Sequence, residues 1–178
     1  MRNIVVTMFL SLDGIMENPA WSAPYWNDEI SNFKATESKA SDALLLGRVT
    51  YQGFAAAWPN SKDEGADKIN GMPKYVVSTT LDTVEWNNSR LIKGDVVDEI
   101  IKLKQQEGED ILVYGSATLV QTLMQHNLVD VYRLLVYPVV LGKGIRLFQE
   151  GAPATLKLVE CHAFTGGVVG LVYQPAEK

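Results

Sequence analysis

The chain has 178 residues, a formal net charge of −5, and 47% apolar and 21% charged residues. That length and balance predict a single domain, residues 1–178, whose core needs no metal or disulfide staple. The acidity and the lack of a Lys/Arg run argue against a nucleic-acid partner, and no apolar run is long enough to cross a bilayer. Cys161 is the one cysteine, and the opening has no basic start followed by an apolar stretch. A soluble, cytoplasmic protein without an intrachain disulfide is therefore expected.

Residues 3–12 (NIVVTMFLSL) are apolar and β-branched and predict a buried strand. They run into DGIMENPAWSAPYW (13–26), too long for a plain connection; with Trp21 and Trp26 in it, this loop is read as a functional lid. NDEISNFKATESKAS (27–41) fits a polar helix with Ile30 and Phe33 on one face and Asn27 or Asp28 as N-cap. ALLLG (43–47) predicts a second strand, and VTYQGFAAAW (49–58) a helix stopped at Pro59. A polar loop (60–73) leads to a third strand, KYVVST (74–79), and a short fourth, RLIKG (90–94). DVVDEIIKLKQQEG (95–108) is an amphipathic helix ending at Gly108. DILVYG (110–115) is a strand and SATLVQTLMQHN (116–127) a helix closed by Asn127. LVDVYRLLVYPVVLG (128–142) reads as a long strand in which Pro138 marks an edge, bend or bulge. Residues 156–175 form two alternating runs about Gly166–Gly167, an antiparallel hairpin. Strands alternating with helices imply an α/β fold: one mostly parallel sheet with helices on both faces and a C-terminal antiparallel hairpin.

Such a sheet binds ligands beyond the carboxyl ends of its strands. Three of those ends carry unusual residues: Gly47, Arg48 and Thr50; Ser78, Thr79 and Thr80; and Gly115 and Ser116, just ahead of Ala117 and Thr118. An Arg beside a helix N-terminus is unfavourable for the dipole unless an anion sits there too. A guanidinium with neighbouring hydroxyls suits a phosphate monoester. VYGSATL offers N–H donors at a positive helix end, although a Gly turn with a Ser cap accounts for it equally well. The first strand leads into DGIMENP and not G-x-G-x-x-G, so the ordinary dinucleotide fold is disfavoured. His126, His162 and Cys161 read as structural residues, and no metal site is expected.

LLLGRVTYQGF (44–54), KYVVST and ILVYGSATLVQTLM resemble, in order and spacing, segments of the dihydrofolate reductase superfamily. SLDG (11–14) and YPVVLGKGIRLF (137–148) are more similar to one branch of it. That branch is the reductase domain of the bifunctional riboflavin-biosynthesis deaminase/reductase, with its free-standing relatives.

The resemblance implies NADPH. Arg48 would meet the 2'-phosphate and Thr50 the pyrophosphate region after Gly47, with Ser78 and Thr79 beside the same 2'-phosphate. Gly115 and Ser116, followed by Ala117 and Thr118, match the family's Gly-Gly turn with Ser in place of the second Gly. Met8 and Phe9 match positions near the nicotinamide. Glu29 aligns with the acid that protonates dihydrofolate, and Asp28 could equally face the pocket; helix capping is the other role for both. Met72 and Pro73 stand where true dihydrofolate reductases have a folate-gripping Arg, with Lys74 only nearby, so folate is not the favoured substrate. Lys143 and Arg146 on a glycine-rich loop, with Trp26 of the lid, are expected to contact a polar or phosphorylated substrate; a basic surface turn or dimer contact is the alternative for the two cations. The separate zinc-binding deaminase domain is absent from the sequence.

The expected activity is NADPH-dependent reduction of a heterocyclic small molecule of the ribosylaminopyrimidine type. The alternatives are an NADP(H)-binding module without efficient catalysis, a phosphosugar-binding α/β protein, and dihydrofolate reductase itself. The resemblance also implies a homodimer through the Pro138 strand or the final hairpin.

Overall fold

The computed structural model describes residues 1–151 and 153–176. Its strands are β1 (Ile4–Leu10), β2 (Ser41–Gly47), β3 (Lys74–Val77), β4 (Ser89–Ile92), β5 (Asp110–Val113), β6 (Val131–Val136), β7 (Leu156–Ala163) and β8 (Val169–Pro175). Its helices are α1 (Asp28–Lys39), α2 (Arg48–Ala57), α3 (Ala66–Gly71), α4 (Val96–Gln105) and α5 (Ala117–Gln125). The strands form one sheet in the order β4-β3-β2-β5-β1-β6-β8-β7. The first six are parallel, and the closing hairpin joins antiparallel, with Leu134 opposite Leu171 and Cys161 opposite Leu171 on its other side.

Central parallel strands are covered on both faces, which is why β1 and β2 read as continuous apolar runs. Ile4, Val6, Met8 and Leu10 pack on Ile100 and Leu103 of α4 and Leu119 and Leu123 of α5. Val5, Leu44, Leu46 and Leu112 face the other way, onto Tyr51 of α2 and Ile69 of α3. Ile30 and Phe33 of α1 cover Leu135, Tyr137 and Val172 on that same side. Each such aliphatic side chain contributes roughly 1.5–3 kcal/mol by leaving water.

Asn27 is the cap of α1, its side chain accepting from the Ile30 N–H at 3.0 Å. Four sequence expectations change. The polar loop 60–73 contains α3, whose six residues bury only Ala66 and Ile69, too few to register as a period. The strand through Pro138 stops at Val136: the Tyr137 N–H still donates to the Leu10 carbonyl at 2.8 Å, but Pro138 has no N–H to continue the ladder. Helix α4 ends before Gly108, with Gln106 already extended. The lid carries a 3-10 segment, Pro19–Tyr25, pinned by Trp21 and Tyr25 against the Tyr137 ring at 5.5 and 5.8 Å.

Candidate active site

The sheet register sets three turns side by side. Gly47 pairs with Val77, so Arg48 emerges next to Ser78. On the other flank the Gly47 N–H donates to the Gly115 carbonyl at 2.9 Å. A Cβ on Gly47 would stand 2.3 Å from Ser116 Oγ and 2.7 Å from Ser116 N. Gly115 has φ +131°, and a Cβ there would meet Thr50 Oγ1 at 2.6 Å, with Met16 Cε at 3.7 Å. Only glycine fits either place. The result is a cradle in which two glycine turns meet at the start of α5. Ser116 caps that helix, its Oγ 3.5 Å from the Leu119 N–H and 2.9 Å from Thr118 Oγ1; Ala117 is buried and Thr118 exposed.

At the neighbouring corner Arg48 is exposed, with one guanidinium N–H donated to Gln52 Oε1 at 3.0 Å. Ser78 is buried, and its hydroxyl accepts from the Thr80 and Leu81 N–H groups at 3.2 and 3.0 Å. Ser78 therefore shapes the turn, while Thr79 is exposed beside it. A cleft of about 820 Å³ adjoins this corner, with Gln52, Tyr51, Leu81 and Trp86 among its walls. Under Trp86 lies Lys74, fully buried, with Nζ 4.2 Å from the indole ring and donating to the Asn70 and Asn87 carbonyls at 2.5 and 2.9 Å. Burial pushes this amine down to about 8, and the side chain is sealed from any ligand.

Along the same edge, Met8 and Phe9 part company. Met8 is buried in the α4–α5 core, whereas Phe9 faces α1 and lies 6.1 Å from Trp26, which is 47% exposed. Glu29 is exposed and shares a helix face with Phe33. Its carboxylate accepts from the Thr165 N–H at 2.7 Å in the hairpin turn, and that bond lowers its pKa. Asp28 is exposed in the first turn of α1, where its charge suits the helix dipole. Neither carboxylate is brought next to Phe9 among the described contacts.

Lys143 is exposed on its glycine-rich loop, and Arg146 donates from Nε to the Asp13 carbonyl at 3.1 Å. Asp13, read from sequence as turn chemistry, does more. Its Oδ1 and Oδ2 accept from the Leu141 and Gly142 N–H groups at 3.1 and 2.8 Å, and Ser11 donates to it at 2.6 Å. These bonds, led by that from Ser11, hold its pKa down to about 2. SLDG and LGKGIR are thus one interlocked unit, closed by the Ile15–Arg146 bridge and the Met16 N–H to Ile145 carbonyl bond at 2.9 Å.

Sequence reasoning missed a buried charged cluster. Glu37 of α1 is 3% exposed; its two oxygens lie 3.0 Å from Thr7 Oγ1, and Oε2 accepts from Arg133 Nε at 3.2 Å. Lys34 bonds to Glu37 Oε1 and donates to Thr7 Oγ1 at 2.6 Å. Tyr114, the residue before the glycine cradle, places its hydroxyl 3.4 Å from Glu37. The signal was present: 30, 33/34 and 37 form one helical stripe, and Arg133 interrupts an apolar strand. A charge on an otherwise buried stripe calls for a partner.

Six parallel strands, a closing hairpin and turns gathered at the carboxyl edge define a dihydrofolate reductase-like fold. The chain belongs to the RibD C-terminal domain family, whose model matches residues 2–170. It is 30% identical over 178 residues to the uncharacterized protein YyaP of Bacillus subtilis (strain 168), covering 97% of this chain and 94% of that one. Its fold is similar to a putative riboflavin biosynthesis protein from Shewanella sp. PV-4 (TM-score 0.81, 20% identity, 98% and 99% of the two chains). It is also similar to the Thermotoga maritima diaminohydroxyphosphoribosylaminopyrimidine deaminase/5-amino-6-(5-phosphoribosylamino)uracil reductase (0.68, 14%, 98% of this chain and 57% of that one). A third match is dihydrofolate reductase from Enterococcus faecalis complexed with NADP(H) and RAB-propyl (0.66, 14%, 98% and 97%). Among the described residues no helix is long and apolar enough to cross a membrane, and no group of His, Cys, Asp or Glu could hold a metal.

Proposed function

We propose that this protein is an NADPH-dependent reductase acting on a pyrimidine-type heterocycle, in the manner of a 5-amino-6-(5-phosphoribosylamino)uracil reductase. The observation that carries the reading is the glycine cradle: at Gly47 and Gly115 a Cβ would collide with Ser116 and Thr50, so the two turns can close on each other beside a helix N-terminus only as glycines. The N–H groups of such a helix end suit a pyrophosphate. The exposed Arg48 and Thr79, on adjacent strand ends, suit a phosphorylated ribose. Gly47, Thr50, Gly115 and Ser116 would hold the middle of the cofactor, and Arg48 with Thr79 its 2'-phosphate. When bound, NADPH supplies the hydride.

Two measurements test this: titration with NADPH and NADH, and oxidation of NADPH in the presence of 5-amino-6-(5-phosphoribosylamino)uracil. Tight NADPH binding with turnover is expected. Failure to bind NADPH would overturn the reading.

One observation favours an NADP(H)-binding module without efficient catalysis. Glu29 is held as a carboxylate by the hairpin turn and is a poor proton donor there. Tight NADPH binding with no oxidation by flavin precursors, pterins or folates would select that reading.

A further inference from the structure

Thr7, Lys34, Glu37 and Arg133 place two cations and one anion where little solvent reaches, the Lys34, Arg133 and Glu37 side chains being 14%, 16% and 1% exposed. A buried net positive charge is costly unless an electron-rich group meets it. Arg133 is held in place through Nε and one terminal nitrogen: Nε bonds Glu37, Nη2 reaches the Phe33 carbonyl and Thr36 Oγ1 at 3.4 and 3.3 Å, and Cζ lies 4.3 Å from the Phe33 ring centroid. Lys34 is the cation turned toward Phe9 and Tyr114. Thr7 and Glu37 take two of its three N–H groups, and no other hydrogen-bond acceptor is in reach among the described residues.

The surroundings of that remaining N–H are aromatic. Nζ lies 5.4 Å from the Phe9 ring centroid and 4.9 Å from that of Tyr114. Phe9 in turn neighbours Trp26, a large apolar side chain left nearly half exposed. Tyr114 leads directly into Gly115 of the cradle. An ammonium with a donor to spare, aromatic faces and an adjoining cofactor turn together describe a place for a flat ring that carries an acceptor oxygen.

We propose that Lys34 binds the substrate, donating its free N–H to a carbonyl oxygen of a flat heterocycle that packs on Phe9 and Trp26. Glu37 and Thr7 fix the ammonium, and Arg133 fixes Glu37. The proposal rests on the reductase reading for its substrate class, and it assigns the polar recognition to a residue outside the motifs that define the family resemblance.

The test uses two flat probes of similar size, 5,6-diaminouracil, which presents carbonyl oxygens, and 2,4-diaminopyrimidine, which presents amino groups in their place. Wild-type protein should bind the uracil more tightly. Lys34→Met should weaken the uracil roughly tenfold or more and leave the diaminopyrimidine unchanged or tighter. A merely structural role would weaken both alike. Because Lys34→Met removes a partner of buried Glu37, the exposed Trp26→Ala is measured beside it. Trp26→Ala should weaken the uracil without moving the melting midpoint.

Uracil affinity unchanged in Lys34→Met, unchanged in Trp26→Ala, or below that for diaminopyrimidine in the wild type would each overturn the proposal. NADPH is titrated separately. Wild-type protein that binds NADPH but not 5,6-diaminouracil sinks the Lys34 assignment alone, whereas protein that binds the uracil but not NADPH sinks the reductase reading.

Discussion

Gly47 and Ser116 lie so close that the serine side chain occupies the space a Cβ on the glycine would need. Gly47→Ala should therefore lower the melting midpoint and weaken NADPH together. Ser116→Gly in the same chain should restore only part of the loss, because the Ser116 backbone nitrogen also stands 2.7 Å from that Cβ. Full recovery in a thermal melt would show that the side chain alone sets the spacing.

Arg48 separates the two nicotinamide cofactors. A charge-assisted hydrogen bond contributes roughly 1.5–3 kcal/mol, and each 1.4 kcal/mol is about tenfold. Arg48→Ala should weaken NADPH roughly 10- to 100-fold by calorimetry and leave NADH nearly unchanged. Equal losses would place the guanidinium away from the 2'-phosphate.

Asp13 makes stability depend on acid. Its pKa falls from an ordinary 3.8 to about 2 on folding, chiefly through the Ser11 hydroxyl and the Gly142 and Leu141 N–H groups. A depressed carboxylate stabilises the fold fully above its unfolded pKa and loses that contribution as pH drops through the folded one. Asp13→Asn should melt below wild type at neutral pH, with the gap closing between pH 3.8 and about 2. A gap independent of pH would point to a steric cause.

Lys74 adds a dependence of the same sign in the alkaline range. Burial lowers its pKa from 10.5 to about 8, so the folded state resists the charged form. Between those values the unfolded chain holds the extra proton, and stability rises with pH. Denaturant titrations of wild type against Lys74→Met should show the wild type gaining ground from pH 8 to 10.5.

Glu37→Leu should be severe. It leaves Lys34 and Arg133 facing each other without their shared anion, and removing one partner of a buried pair costs about 3–5 kcal/mol. Chemical denaturation measures this, and a loss below about 1 kcal/mol would show that solvent reaches the cluster.

How much of this was legible beforehand depended on the range of the interaction. The cap at Asn27, the amphipathic stripe of α4 and the Gly166–Gly167 hairpin are local, written in residues a few positions apart. Helix α3 has too few buried residues to declare a period, and Pro138 ended a ladder that hydropathy alone would have continued. At the site, the three turns could be placed on one edge because alternation with helices makes the strands parallel, with their carboxyl ends together. Which side chains remain free could not be read, since Ser78 is taken by its own turn and Arg146 by the Asp13 carbonyl. The Lys34–Glu37–Arg133 group joins α1 to β1 and β6, a distance in sequence that periodicity does not span.

Strand β1 lies between β5 and β6, so both its neighbours are encoded in the second half of the chain. Strand β1 leaves the ribosome well before either neighbour and must stay unpaired, with Val5, Val6 and Phe9 open to water, until β5 has followed it. Non-local pairing of this kind slows folding and lengthens exposure to aggregation. A pause in synthesis before β5 would strand the nascent protein with the middle of its sheet unbuilt, because β5 is the strand that joins β1 to β2.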